Sequence, residues 1–322
     1  MDYRTLGRTG IEVSEIGYGA WGIGGAQWGG ADDEQSIAAL NHAVDSGLNF
    51  IDTALAYGEG RSERLVGKVV GGRSETIHVA TKVPPKNGIW PAPDDARVED
   101  VFPGDHVREC ARRSLANLGL DTIDVLQFHV WNDAWADQGD WREAVDELRA
   151  EGAIRFFGVS INDHDPANSL RLIESGAADT VQVIYNVFDQ APEDELFPAC
   201  HEHDIGVIAR VPLDEGGLTG TLKPDSEFAE DDHRSRYFRD DRPREVHDRV
   251  TAMMSDLGIG EDQVAETALR YVLSEPTVST VIPGMRSQRN VERNIAVADG
   301  VGLDPVKREK LHEHRWVRNF YR

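Results

Sequence analysis

The chain has 322 residues, 40% of them hydrophobic, which is enough to bury one large core and within the range of an α/β barrel. Acidic residues number 57 against 34 basic ones, and the net charge of −23 makes a surface that repels phosphate backbones and anionic membranes, so no nucleic-acid partner is expected. Two cysteines are too few for a disulfide framework or a zinc cluster, and no stretch approaches the roughly 18 apolar residues of a membrane span, so a cytoplasmic protein with no membrane partner is expected.

The opening YRTLGRTGIEVSEI reads as a β-hairpin turning at Arg8-Thr9-Gly10, an extra piece able to plug the bottom of a barrel. Eight β-rich runs occur along the chain: VSEIGYGA, LNFIDT, IHVATKV, IDVLQFH, IRFFGVS, TVQVIYN, IGVIARV and VSTVIPG. Amphipathic segments separate them. In 107–118, Val107, Cys110, Ala111, Leu115 and Leu118 share one helical face, and in 141–150 Trp141, Ala144, Val145 and Leu148 do so, with stops at Gly119 and Gly152. Strands alternating with helices specify an α/β fold with parallel strands, and eight of them point to a closed (β/α)8 TIM barrel occupying residues 1–322 as one domain. A doubly wound open sheet is the rival. Long irregular stretches follow the third and seventh strands, at about 84–106 and 212–243, where functional lids or binding loops are expected. These loops carry Trp90, Tyr237 and Phe238, and with Trp131 and Trp135 after the fourth strand they suggest an aromatic rim around a substrate pocket, with simple packing at the loop base the equal alternative for the tryptophans.

Gly17-Tyr18-Gly19-Ala20-Trp21-Gly22 spells the dinucleotide-binding G-x-G-x-x-G after a strand, but Gly24, Gly25, Gly29 and Gly30 delay the next helix to about Asp33. A Rossmann fingerprint must open a helix directly, so these glycines read instead as a loop passing close to a ligand. His201-Glu202-His203 and His312-Glu313-His314 do not place two histidines on one helix face and have no zinc-spaced Cys or carboxylate set, so they read as surface histidines and no metal is expected.

Asp52, Tyr57, Lys82 and His129 each close or directly follow a β-run: NFIDTALAY, IHVATK and IDVLQFH. In a parallel sheet these polar tips gather at one end, where α/β enzymes keep their chemistry, and together they can move a proton to or from an oxygen atom. Each has a plain structural alternative as a turn cap, packing ring, snorkelling ammonium or core histidine. Those alternatives do not explain all four at the same end of three successive strands. A lysine inside the apolar run ATK needs a partner, and Asp52 on the adjacent strand is the expected one.

With these residues in place the chain resembles the aldo-keto reductases over nearly its whole length. The resemblance rests on FIDTALAYGEGRSE, VATKV and LQFH, then GVS ending at Ser160, VQVIYN around Gln182, RVPLDEGGLTG from Arg210 and VIPGMRSQRNVERN from Val281. It implies a (β/α)8 barrel that binds NADPH, with NADH possible, in extended form without a Rossmann domain, and reduces an aldehyde or ketone to an alcohol or runs the reverse reaction. Tyr57 would be the general acid, Lys82 held by Asp52 the cation that favours its anion, and His129 the group that orients the carbonyl and assists proton transfer at acidic pH. Gly19, Ala20 and Trp21 would pass along the nicotinamide and diphosphate side, with Asp52 nearby. Ser160, Asn162 and Gln182 would hold the carboxamide, and Arg210 would cover the ring where many members place an aromatic residue. Leu213, Gly216 and Leu218 would wrap the pyrophosphate, and Gly284, Arg286, Gln288 and Asn294 would surround the adenosine end.

Three departures stand out. Ser160-Ile161-Asn162 inserts a residue into the usual adjacent Ser-Asn pair. Gly284 and Asn290 replace the lysine and arginine that grip a 2′-phosphate in many NADPH-selective members, which leaves Arg286, Arg289 or Arg293 to carry that charge. His129 is followed by Val130-Trp131 rather than a Pro-Asp element. Two further readings stand beside the enzyme: a non-catalytic NADP(H)-binding redox-sensing regulatory subunit, and an unrelated barrel lyase or isomerase.

Overall fold

The computed structural model describes residues 1–25 and 27–321. Strands β1 (Tyr3–Thr5) and β2 (Glu12–Ser14) pair antiparallel around a turn that ends at Gly10, whose φ of 66° is the left-handed conformation expected of a glycine there. The other eight strands are β3 (Tyr18–Gly19), β4 (Phe50–Asp52), β5 (His78–Val83), β6 (Ile123–Phe128), β7 (Ile154–Ser160), β8 (Thr180–Ile184), β9 (Gly206–Arg210) and β10 (Val278–Val281). They lie in chain order, each parallel to its neighbours. The two ends meet. Gly17 N–H donates to Val281 O at 2.8 Å, Val281 N–H to Glu15 O at 2.9 Å and Gly19 N–H to Pro283 O at 3.1 Å. The sheet therefore closes on itself, as the (β/α)8 reading expects, and its sequential order overturns the doubly wound rival, whose strand order reverses at a switch point.

The run VSEIGYGA is not one strand. Val13 and Ser14 belong to the hairpin, and only Tyr18 and Gly19 pair inside the barrel. Glu15 makes the transfer, because its N–H is bound by Asp2 O at 3.0 Å while its carbonyl serves β10.

The hairpin fills the barrel's lower end. Leu6, Ile11 and Val13 are buried against Phe50, Ala80, Val125 and Ile208, which come from β4, β5, β6 and β9. Contact is close enough that Gly7, at φ 48°, cannot carry a side chain: a Cβ there would sit 2.2 Å from Gly206 N. Around the barrel, helix Asp33–Asp45 starts where the Asp32 carboxylate accepts Gln35 N–H at 2.7 Å. Helix Gly104–Leu118 buries Val107, Cys110, Ala111 and Leu118 and stops at Gly119, φ 65°, while Leu115 of the expected face is only partly covered. Helix Trp141–Ala150 buries Trp141, Ala144, Val145 and Leu148.

The long loops sit where expected, after β5 and β9, and contain short helical turns at Val98–Val101, Asp214–Thr219 and Arg234–Tyr237. Trp131 and Trp135 are not rim residues. They are buried beside Trp141, with Trp131 5.5 Å from Trp141 and 5.8 Å from Trp135 between ring centres. Both cysteines are buried, in helices Gly104–Leu118 and Leu196–Glu202. Among the described residues no helix is long and apolar enough to cross a membrane.

Truncating the plug tests its contribution. Leu6→Ala is expected to lower unfolding free energy by about 2–5 kcal/mol, the usual cost of deleting a fully buried leucine side chain. Urea denaturation measures it, and a midpoint unchanged from the parent would show that the hairpin does not support the barrel.

Candidate active site

Strand register brings the polar tips together. Lys82 on β5 lies opposite Gln127 on β6, and Ser160 at the end of β7 lies opposite Gln182 on β8. Lys82 Nζ donates to Asp52 Oδ2 at 2.5 Å and to Thr53 O at 2.9 Å, and stands 3.4 Å from the Tyr57 phenol oxygen. The other carboxylate oxygen of Asp52 accepts Gln182 Nε2 at 2.8 Å and Gln127 Nε2 at 3.2 Å. Lys82 and Asp52 are both buried. Two charges this deep survive only because their remaining hydrogen-bonding capacity is filled.

Tyr57 is carried by a tight turn after β4. Gly58, Glu59 and Gly60 have φ of 62°, 51° and 80°. A Cβ on Gly24 would come within 3.0 Å of the Tyr57 Cβ, and one on Gly58 within 2.1 Å of Gly24 O. The glycine string thus lets its loop press against the protein's own backbone as well as against the cavity. The ring of His129 meets Tyr57 edge-on at 5.5 Å and Trp90 at 4.4 Å, and its Nδ1 is buried with no hydrogen-bond partner.

Burial and the neighbouring charges shift the titration of Tyr57, Lys82 and His129. Burial, reinforced by the Asp52 carboxylate, holds the Tyr57 phenol well above its ordinary value despite the opposing Arg210 cation. Burial also pulls the Lys82 ammonium down, with Asp52 resisting. The Lys82 ammonium is thus bound by Asp52 and the Thr53 carbonyl while remaining 3.4 Å from the Tyr57 phenol. His129 is held well below its ordinary value by burial and by the Lys82 and Arg210 cations.

These four residues line, or in the case of Lys82 lie directly behind, an open cavity of about 830 Å³, in the size range of small-molecule and cofactor sites. Gly19 and Trp21 form one wall, and Ser160, Asn162, Gln182 and Arg210 the middle. Leu213, Gly216 and Asn294 line it as well, together with Gly284 and Arg286, which lie against the Gly19–Gly22 segment. Ala20 and Leu218 do not face it, being buried in the core, and Gln288 opens helix Gln288–Ile295 without forming part of the wall. Asn162 spends its side chain on two loops, donating to Ala92 O at 3.2 Å and accepting Trp131 N–H at 3.4 Å. Arg210 binds Asp163 Oδ1 at 2.6 Å and Ile161 O at 3.1 Å, while its Nε is buried without a partner. At Gly216 and Gly284, both lining the cavity, a Cβ would point into open space, with no atom beyond the adjacent residues within 4 Å. His201 and His203 lie outside the cavity, His312 is 3.7 Å from Glu193 and His314 3.2 Å from Asp256, and among the described residues no group of metal-ligating side chains is assembled.

Sequence reasoning missed Gln127, which is buried behind the cavity on Asp52, and several residues of the cavity wall. Gln127 had a signal, since it shares strand parity with His129 in IDVLQFH and is a polar residue on an otherwise apolar inward face. Trp28, Asp163, His233 and Tyr321 had none, because they are brought in by loops far apart in the chain.

The family model described as the Aldo/keto reductase family matches residues 15–314. The chain is 32% identical over 302 residues to a Bacillus subtilis (strain 168) protein named aldo-keto reductase YhdN, covering 91% of this chain and 87% of that one. It resembles the solved glycerol dehydrogenase AKR11B4 from Gluconobacter oxydans with a TM-score of 0.78 and 27% identity, over 97% of this chain and 94% of that one. An aldo/keto reductase from Klebsiella pneumoniae, solved in complex with NADP and acetate, gives a TM-score of 0.70 and 26% identity, over 99% and 98% of the two chains.

Removing one partner of the buried pair should be severe. Lys82→Met leaves the Asp52 charge without its cation and is expected to cost about 3–5 kcal/mol in urea unfolding, part of which Asp52→Asn in the same chain restores. Equal stability of Lys82→Met and parent would mean that the pair is not held as described.

Proposed function

We propose, on the premise that this chain belongs to the aldo/keto reductase family, that it is an NAD(P)H-dependent oxidoreductase interconverting a carbonyl compound and an alcohol, with Tyr57 as the general acid. The observation that carries this reading is the Tyr57 phenol on the cavity wall, 3.4 Å from the Lys82–Asp52 pair and next to a histidine with an unpartnered ring nitrogen.

The cavity fits a dinucleotide. The Gln182 amide nitrogen is taken by Asp52, which leaves its carbonyl oxygen as an acceptor suited, with Ser160, to a carboxamide. The open space at Gly216 and Gly284 suits a bulky phosphate chain approaching backbone. Arg286 and Arg293 line the cavity, and guanidinium groups in so acidic a chain suit the 2′-phosphate of NADPH, with NADH as the other candidate. When bound, the reduced nicotinamide supplies two electrons as a hydride.

The chain's own residues manage the oxygen atom. Negative charge grows on the carbonyl oxygen as it is reduced, and a donor already aimed there lowers the barrier. Tyr57 is that donor and gives up its proton, while Lys82 beside the phenol limits the cost of the resulting negative charge. His129, neutral, donates one ring N–H to the carbonyl oxygen and so orients it. Trp21 stacks on the Tyr57 ring and Trp90 meets the His129 ring edge-on, so each catalytic ring is braced by an indole.

Tyr57→Phe is expected to keep nucleotide binding, read by tryptophan fluorescence, and to lower kcat by about 10²–10⁴-fold. Near-normal turnover would sink the assignment. Turnover absent from the parent chain across a broad carbonyl panel, despite tight nucleotide binding, would favour a regulatory subunit. The pKa directions also fix a pH pattern. With Tyr57 protonated and His129 neutral, carbonyl reduction stays flat between about pH 6 and 8, whereas alcohol oxidation, which needs the phenolate as base, rises about tenfold per pH unit. A reduction rate that falls away through this window would contradict the neutral histidine.

A further inference from the structure

The turn after β9 is held in an unfavourable backbone conformation. Val211, Asp214 and Glu215 have φ of 55°, 50° and 53°, and Gly216 follows at 106°. Only the glycine adopts this region without strain. A β-branched residue there is a genuine outlier, and each non-glycine position costs on the order of 1 kcal/mol unless neighbouring contacts compensate. Leu213 and Gly216, which face the cavity, depend on this turn.

The compensating contacts come from the segment after helix Pro305–His312 and from Tyr237, whose hydroxyl donates to Asp214 Oδ1 at 2.6 Å. Arg318 is nearly buried and bridges two buried carboxylates, binding Asp189 Oδ1 at 3.0 Å through Nη1 and Asp214 Oδ1 through Nη2. Its guanidinium is stacked among Trp316, Phe320 and Phe188 at 4.6, 5.2 and 5.3 Å. Three residues on, the Tyr321 hydroxyl donates to Glu215 Oε1 at 2.7 Å. The segment is itself fastened, with Trp316 N–H on Phe188 O at 2.9 Å and Arg242 Nη1 on Phe320 O at 2.8 Å. Asp214 and Glu215, two of the strained residues, are thus each gripped by a side chain from this segment, and Val211 O accepts Asn186 Nδ2 at 3.0 Å.

We infer that Arg318 and Tyr321 are positioning residues for the dinucleotide: by holding Asp214 and Glu215 they keep the left-handed turn 211–216 against the cavity, so that Leu213 and Gly216 are presented to the bound phosphates. The inference rests on the proposed cofactor reading. It separates from that reading because neither residue acts at the reacting oxygen. Loss of either side chain loosens the nucleotide and spares the chemical step.

The test compares Arg318→Met, Arg318→Lys and Tyr321→Phe with the parent in two measurements: NADPH and NADH dissociation constants by tryptophan fluorescence, and the single-turnover rate at saturating nucleotide. Tyr321→Phe, which deletes one hydrogen bond, is expected to weaken nucleotide binding about threefold to tenfold. Arg318→Met, which removes the cation shared by two buried carboxylates and leaves Asp214 only Tyr237 and Asp189 only His164 and Asn186, should weaken it more than tenfold, with Arg318→Lys recovering part of the loss. Single-turnover rates stay within about twofold in all three, since the interaction is made equally before and during the reaction. Unchanged dissociation constants in Tyr321→Phe and in whichever arginine variants fold overturn the inference alone, as does a single-turnover rate that falls in step with affinity. A parent chain that binds neither nucleotide overturns the functional reading and the inference with it.

Discussion

The buried contact between Lys82 and Asp52 is the constraint on which the rest of this molecule depends. It sits inside the barrel rather than on its rim, and the Asp52 carboxylate also takes hydrogen bonds from Gln127 and Gln182. One anion thereby ties β4 to β5, β6 and β8, so the polar centre is part of what sets how those strands stand relative to one another. Such a centre gains little net stability over an apolar core of similar volume, but it is expensive to leave half-satisfied. That asymmetry makes the position of Tyr57 and His129 reproducible, because the groups around them have only one way to be satisfied together.

What could be read from the sequence follows from where each signal is stored. The eight strands were legible because parallel buried strands are short, nearly continuous apolar runs, and the pairing of Lys82 with Asp52 because a lysine within ATK has no other tolerable fate. VSEIGYGA misled because a chain crossing from the hairpin to the barrel keeps the same apolar pattern on both sides of Glu15. Trp131 and Trp135 misled because a tryptophan after a strand looks the same whether it faces a ligand or packs behind the sheet. Protonation states were not legible, since burial and the Arg210 cation act through space. Nor was the contribution of 316–321, whose partners lie about a hundred residues earlier in the chain and share no local pattern with it.

The acidic surface and the cavity have opposite characters. The chain carries a net charge of −23, yet Arg210, Arg234, Arg236, Arg286 and Arg293 are gathered around the cavity. Several are held by carboxylates or by the faces of Trp28 and Phe228, so the positive groups are fixed in place rather than free to collapse onto the surrounding acids. For an anionic ligand this concentrates attraction at the mouth while the rest of the surface repels it.

The seam of the barrel has a mechanical meaning. The sheet closes through β3, whose two residues make it the shortest of the barrel strands, and through a few backbone bonds to the Val281–Pro283 segment. Trp21 lies just past one side of that seam and Gly284 and Arg286 just past the other. A molecule seated between them acts as a hoop around staves whose last joint is thin. Its binding free energy adds directly to the cohesion of the closed ring, so resistance of the whole barrel to heat and to proteases should track how fully this groove is occupied.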